Sequence, residues 1–511
     1  MASRKDELNA FTFARRRTLA AFLRPGPATP DAEDAPRPLR SLLPGMVVGG
    51  LILAVFGAWG MFRPSVPEDW DAPGRHVIIG SESTTRYVVL ETGGRRQLHP
   101  VLNLSSARLL LQDTDELDIV SVDEDELDSG RVPRGPTLGI PYAPDRLPAA
   151  EEAAEPKRWA VCQQPGAGGA ADVRQAAFVL AERDAGRVEG AGRLTGGDVL
   201  YVRSTGPDAA EYLVDGGGTK YRFAGDTSAE ADLLRRLLTR GGAPQPVGED
   251  WLATFADGSP LDFPELPAGV GTPAQVPGLR PEAALIGTVL EAPSGNGTQH
   301  YLVLPGRVVP ITPFTAYLIA NSPATAPLGQ AGEPLPVGAQ DFVPSPPGDD
   351  SPTAADWPSA RVAQVNHGRT DTVCSVLLSV DGDTGRAEVT AWAGADNPAA
   401  TASGSASAYV TPGSGLLYRQ VQGEQAASGS VFLVTDTGLR YAVQDTGGEG
   451  TDGENGGGED GGGEGAGGEG QARTRLGYGE VTPVPVPAQW SQFLPAGPRL
   501  NTTGARQPQG S

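Results

Sequence analysis

Lysine is nearly missing from this 511-residue chain: only Lys5, Lys157 and Lys220 occur, so almost all of its 40 basic side chains are Arg. Against 62 acidic residues the formal net charge is −22, which excludes a generally basic nucleic-acid binder, whose phosphate contacts need a positive face. Histidine is scarce too. His76, His99, His300 and His367 lie in separate segments without metal-ligand spacing, so no metal site is expected. Aromatics make up 6%, and two cysteines are the whole supply of thiol. Lys220 sits in Gly218-Thr-Lys-Tyr221, without the Gly before and Ser/Thr after the lysine that a Walker A loop needs. No G-x-S-x-G elbow or H-E-x-x-H helix occurs, and carboxylate runs such as Asp123-Glu-Asp-Glu-Leu-Asp128 read as solvated loops. No catalytic residue is therefore assigned.

What the chain does have is glycine and proline, 70 and 47 residues, which implies much loop and linker. It also has one long uncharged run. Ser41 to Phe62 reads SLLPGMVVGGLILAVFGAWGMF, with Arg40 and Arg63 flanking it. About 20 apolar residues match a hydrocarbon core of about 30 Å, and Trp59 and Phe62 suit a headgroup interface, so a transmembrane helix over 41–62 is expected. Forty residues precede the run, and no small-residue cleavage motif follows it, which argues against a signal peptide. Eight bases lie in the first forty residues, while Glu68, Asp69 and Asp71 follow the run. The positive-inside rule then places residues 1–40 in the cytoplasm and 63–511 outside.

The cytoplasmic segment from Asp6 to Leu23 reads as a short helix, with Leu8, Phe11, Leu19 and Phe22 at near-helical spacing beside Arg15, Arg16 and Arg17. Acids precede bases along it, as the helix dipole prefers. It could lie on anionic lipid or dock on a cytoplasmic partner. Outside, Cys162 and Cys374 are expected to form a structural disulfide in an oxidising compartment, the alternative being a redox or metal pair.

A strand–turn unit recurs four times in the external part. Tyr87-Val-Val-Leu-Glu-Thr-Gly-Gly-Arg95, Tyr212-Leu-Val-Asp-Gly-Gly-Gly-Thr-Lys220, Tyr301-Leu-Val-Leu-Pro-Gly-Arg307 and Phe432-Leu-Val-Thr-Asp-Thr-Gly-Leu-Arg440 each join an aromatic–aliphatic strand to a Gly turn and a basic residue. Helix-like runs follow the first two at 104–111 and 229–238, and Ala316–Ile319 and Leu476-Gly-Tyr478 come after the last two. Their anchors are 125, 89 and 131 residues apart (Tyr87, Tyr212, Tyr301, Phe432), which excludes a fixed-period solenoid. Further strands are expected at Trp159–Cys162, Ala177–Leu180, Val199–Val202, Val373–Leu378 and Gly415–Tyr418. Pro-rich stretches at Pro244–Pro281 and Ala320–Pro358 break ladders and helices alike. Gly447–Gly470, with 14 Gly and seven acids in 24 residues, reads as a disordered insertion.

Four stretches carry a family resemblance: Asp6-Glu-Leu-Asn-Ala-Phe-Thr-Phe-Ala-Arg15, Gly80-Ser-Glu-Ser-Thr-Thr-Arg-Tyr87, Gly139-Ile-Pro-Tyr-Ala-Pro-Asp-Arg-Leu147 and Leu476-Gly-Tyr-Gly-Glu-Val-Thr-Pro-Val-Pro485. With the single apolar run, the chain resembles EccB, the bitopic core component of actinobacterial type VII secretion, over essentially its whole length. Both cysteines fall in family positions; the Gly/acidic insertion departs from the common pattern.

The resemblance implies an α+β, mostly β chain: one N-terminal transmembrane helix, then an elongated extracytoplasmic part. A central β-rich, disulfide-linked domain (near 151–198 and 359–414) would be surrounded by four small repeats (near 77–150, 199–240, 286–320 and 415–490) that resemble the cell-wall-binding modules of phage lysins. It implies a homodimer within a larger assembly, with EccC, EccD, EccE and the mycosin protease as partners and possible contact with the cell wall. It also favours docking by the N-terminal helix, through Phe11, Arg15, Arg16, Arg17, Leu19 and Phe22. Some family members are described as hydrolysing ATP. No nucleotide motif here carries that to any residue, so a membrane-anchored structural subunit stands as the reading, with an ATPase of the same machinery or a cell-wall-binding envelope protein as the alternatives, and with no cofactor assigned beyond ATP by resemblance.

Overall fold

The computed structural model describes residues 4–23, 39–61, 69–112, 118–166, 172–224, 228–295, 297–346, 354, 356–367, 371–401, 406–423, 429–444 and 469–509. Two compact units result, residues 1–67 and 68–511.

The first unit contains two helices. Arg4–Leu23 is a single 20-residue helix, two residues longer at its start than the sequence suggested. Asp6 and Glu7 lie in its first turn, as the dipole prefers, but its last turn carries no base. Arg15–Arg17 thus lie too far from the C-terminus to act on the dipole. The second helix, Leu39–Met61, has 23 residues and takes in Pro44, whose missing N–H falls near the helix start. Among the described residues no helix is long and apolar enough to cross a membrane. The described side chains of this helix cover only 44–56, roughly 20 Å at 1.5 Å per residue. The side chain of Trp59, and all of Phe62, lie outside what is described.

The second unit is strand-rich α+β, built from one five-stranded sheet and four small modules, three of them four-stranded sheets and one extended to six by the two-residue strands Ala256–Asp257 and Ala363–Gln364. In the five-stranded sheet, Arg158–Pro165 pairs antiparallel with Val173–Leu180 on one side and Thr372–Val380 on the other. Ala387–Gly394 and Ala406–Val410 form its edges. Strand alternation sends residues to two faces. On one, Trp159, Val161, Val179 and Val373 pack with Trp251, Tyr418 and Trp490 contributed by other sheets. On the other, Cys162, Phe178, Cys374, Val376 and Trp392 close over Val188.

The four-stranded core of each of these small sheets follows one plan: three consecutive antiparallel strands, a helix, then a strand returning parallel to the first. The strands lie within 76–122, 198–247, 289–336 and 415–487, and the helices are Leu104–Leu110, Ala229–Thr239, Pro313–Ala320 and Glu469–Arg475. Tyr87, Tyr212, Tyr301 and Phe432 all occupy the second strand, opposite Ile78, Val202, Leu290 and Tyr418 of the first. Turn glycines make the hairpins: Gly93 and Gly94 take φ of +60° and +74°, a conformation L-residues with a Cβ rarely adopt. Arg95, Lys220, Arg307 and Arg440 then open or nearly open the third strand.

Three of these four helices start on side-chain caps. Asn103, Ser228 and Thr312 accept from the N–H of Ser106, Ala231 and Thr315. After the returning strand, three of the sheets add a one-turn helix that buries Leu127, Trp251 or Trp490. Leu98, Phe223 and Arg440 on the third strands then bridge in parallel to Arg134, Leu261 and Ala496. The sequence reading missed these closing turns, because a single buried Trp among polar residues carries no period. The insertion at 447–468 lies outside the described residues, whereas Glu469 and Gly470 already belong to the helix of the fourth sheet.

Candidate functional sites

Three places have the chemistry to matter: the N-terminal helix, the disulfide, and the junction of the first and fourth small sheets. In the helix Arg4–Leu23, Leu8, Phe11, Leu19 and Phe22 lie within an arc of about 80° at 3.6 residues per turn. All four are exposed, Phe11 to 71% and Phe22 to 91%. Arg15 falls inside that arc, whereas Arg16 lies about 60° beyond its edge and Arg17 on the far side. Phe13 is exposed off the arc. Thr12 and Thr18 turn their hydroxyls back to the carbonyls of Leu8 and Ala14, at 2.7 and 2.8 Å. The result is an apolar stripe interrupted by one guanidinium.

Cys162 and Cys374 stand directly opposite each other on neighbouring antiparallel strands and are joined by a disulfide. The bond links positions 212 residues apart and is buried on both sides. A loop of that size corresponds to about 5 kcal/mol in the chain-entropy picture.

At the junction, stretches far apart in sequence meet. Asn103 donates to the Ile140 carbonyl, and the Ile140 N–H donates to the Ser106 hydroxyl, at 2.8 and 2.9 Å. Arg86 pairs with Asp145 at 2.7 Å, and the other Asp145 oxygen accepts from the Leu104 N–H. Arg108 donates to the Leu476 carbonyl at 2.6 Å and Arg475 to the Leu109 carbonyl at 2.8 Å. Gly477, at φ +89°, leaves room for Arg108, whose Nη1 would lie 2.6 Å from any added Cβ. The Tyr478 hydroxyl donates to the Pro148 carbonyl at 2.8 Å, and burial raises its pKa. Burial lowers that of Arg108, against the neighbouring Tyr478. Gln509 closes the seam by donating to the carbonyls of Thr137 and Gly139. Tyr142, at φ +62° and 88% exposed, takes no part in it.

Asp123–Asp128, expected as a solvated loop, instead holds structure. Glu124 accepts from the N–H groups of Ser83 and Glu82, at 2.8 and 2.9 Å, and the Ser83 bond first among causes brings its pKa down to about 2. Glu126 and Asp128 pair with Arg131 and Arg134. A carboxylate that bridges two segments looks in sequence like any other.

The lysines of this unit are engaged. Lys157, with its side chain 0% exposed, holds Glu152 at 2.9 Å and Glu155 at 3.4 Å. Burial works to raise the Glu152 pKa, but the hydrogen bonds from Lys157 and Ser414 bring it below its usual value. Lys220 is held by Asp257 at 2.8 Å and by the Phe255 carbonyl at 3.0 Å. Among the described residues no group of three His, Cys, Asp or Glu is placed to hold a metal.

The family model described as "Type VII secretion system ESX-1, transport TM domain B" matches residues 1–510. The chain belongs to the EccB family of type VII secretion. It is 28% identical over 462 residues to the ESX-3 secretion system ATPase EccB3 of Mycolicibacterium smegmatis, covering 86% of this chain and 82% of that protein. To the EccB3 of Mycobacterium tuberculosis it is 27% identical, covering 86% and 80%. Its fold is similar to the EccB3 dimer from the ESX-3 core complex, with a TM-score of 0.56 at 24% identity over 84% of this chain and 100% of that one. A chain of an intact ESX-5 inner membrane complex gives 0.55 at 22% identity, covering 100% of this chain and 96% of that one. Three of the four stretches that carry the EccB resemblance converge on the first and fourth sheets.

Proposed function

We propose that this EccB chain is a membrane-anchored structural subunit of a type VII secretion complex. The observation that carries this reading is the junction: the EccB-like stretches Gly139–Leu147 and Leu476–Pro485 are used to bind the first sheet to the fourth, and Arg108, Asp145 and Tyr478 are occupied there. Residues engaged in holding segments together serve a scaffold better than a reaction.

In this reading Leu39–Met61 spans the membrane, with the stub helix in the cytoplasm and residues from 63 onward outside. The charge bias across the apolar run supports that orientation. The four small sheets, alike in strand order and in the place of their aromatic anchor, are copies of one module. The chain pairs with a second copy, as EccB3 does in the ESX-3 core complex, and works beside EccC, EccD, EccE and the mycosin protease, with the cell wall within its reach.

ATP hydrolysis is the other reading, because the relatives are named ATPases. The lysines engaged with Glu152, Glu155 and Asp257 speak against it, since a phosphate-binding lysine must be free to meet its ligand. The test uses the full chain recovered from native membranes by affinity. Co-recovery of other secretion subunits, with ATP turnover no higher than in contaminant controls, is expected. Turnover that follows the purified chain through successive columns would replace the scaffold reading.

A further inference from the structure

One edge of the five-stranded sheet is treated differently along its length. Toward the C-terminal end of Ala387–Gly394, residues 190–194 lie against it. There the Leu194 N–H donates to the Ala391 carbonyl at 3.0 Å, the Ala393 N–H donates to the Gly192 carbonyl at 2.8 Å, and Arg193 pairs antiparallel with Trp392. Ala391 and Ala393 therefore aim their backbone groups away from Thr372–Val380. By strand parity Val389 and Ala387 do the same, because the irregularity in this pair lies on the partner strand between Leu377 and Ser379. Gly218 covers the Val389 carbonyl so closely that an added Cβ would come within 2.5 Å of the oxygen. Ala387 and Val389 also line an open cleft of about 980 Å³, together with Gly217 from the second small sheet and Val421, Pro487 and Gln489 from the fourth. Among the described residues, the Val389 N–H and both backbone groups of Ala387 are the edge groups left to face it.

We propose that this cleft receives an extended segment of a neighbouring subunit of the secretion complex as an added strand along Ala387–Val389, which rests on the structural-subunit reading above. An unpaired sheet edge is a template for main-chain pairing, and the adjoining half of this edge already takes an extended stretch of its own chain in that way. Its walls come from two other sheets, and an open cleft of this volume suits a single extended strand better than the edge of a second folded sheet. The occupant is accordingly a tail or linker and not the same edge of another copy. Its side chains near the cleft include an acid. The carboxylates there are engaged, Asp381 with Thr384 and Glu388 with Ser379, while Arg386 forms no ion pair among the described residues.

Hydrogen exchange tests this on the full chain in detergent and on the complex purified from native membranes, the latter also from cells lacking the exported proteins. Recovery of the complex is scored first, because its failure would count against the structural-subunit reading and not against the cleft alone. In the recovered complex the amides of Ala387 and Val389 should exchange slower by on the order of tenfold or more, with or without the exported proteins, while Thr390 and Trp392 stay unchanged. Equal exchange in the free and assembled chain overturns the proposal, and so does protection that disappears with the exported proteins. Ala387→Pro removes an N–H that the ladder does not use. It should abolish the protection at Val389 while the Cys162–Cys374 bond still forms. Protection retained in that variant would likewise overturn the proposal.

Discussion

The N-terminal helix leaves Phe11 and Phe22 largely exposed, whereas Pro313–Ala320 buries Phe314, Leu318 and Ile319 completely. Both helices are rich in Phe and Leu, and both are helical for local reasons: acids in the first turn of one, Thr312 and Pro313 at the start of the other. They differ in what lies beside them. Phe314 and Leu318 meet Tyr201, Phe223 and Leu261 of the second sheet, and Phe314 meets Trp357 edge-on, so their apolar area supports the fold of their own unit. Among the described residues the stub helix has no such partner within its unit, and its apolar area remains exposed. Helical spacing of apolar side chains thus identifies a face without saying whether the face is used inside the molecule or outside it.

The comparison breaks most sharply under truncation. Phe314→Ala should lower unfolding free energy by about 3–5 kcal/mol, as large-to-small changes in a closed core do, read as a shift in denaturant midpoint. Phe11→Ala with Phe22→Ala should move that midpoint by no more than about 0.5 kcal/mol, the range for exposed sites. The same pair should reduce recovery of the other membrane subunits. Unchanged recovery would mean the stripe serves lipid or nothing.

Next in size is the disulfide. Cys374→Ser should cost about 2–5 kcal/mol in the unit 68–511, measured by chemical denaturation under oxidising conditions. Helicity of the stub should stay as it is.

A smaller effect separates two kinds of acidic cluster. Glu124 is held near a pKa of about 2 by backbone N–H groups, chiefly Ser83. A depressed folded-state value means that its contribution to stability is complete above the ordinary carboxylate range near 4.5 and is lost as pH falls toward 2. Carbon-detected NMR titration should find this carboxyl ionised at pH 3, and Glu124→Gln should remove that part of the acid sensitivity. The smallest effect is expected from removing 447–468, which spares the helix Glu469–Arg475. Loop-closure entropy changes by only about 0.6 kcal/mol per doubling of length, so the thermal midpoint should barely move.

Sequence alone determined the local pieces of this protein. Glycine turns and aromatic–aliphatic runs located the hairpins at Tyr87, Tyr212, Tyr301 and Phe432, because a turn that needs positive φ and a strand that needs alternation both leave their marks within ten residues. Two lone cysteines gave the expectation of a crosslink, and the spacing of Phe11, Leu19 and Phe22 gave the stub its face. Tertiary structure decided which pieces meet. The returning strand of each small sheet lies beside the first across a helix, and Asp145 reaches Leu104 across 41 residues while Arg108 reaches Leu476 across 368. Nothing periodic records such partners, since a half-buried Arg108, a bridging Glu124 or a sheet edge at Ala387 is defined by what packs against it. Local geometry is set by dihedral preference within a few residues; the choice of neighbour is set by the burial of faces that only the whole chain brings together.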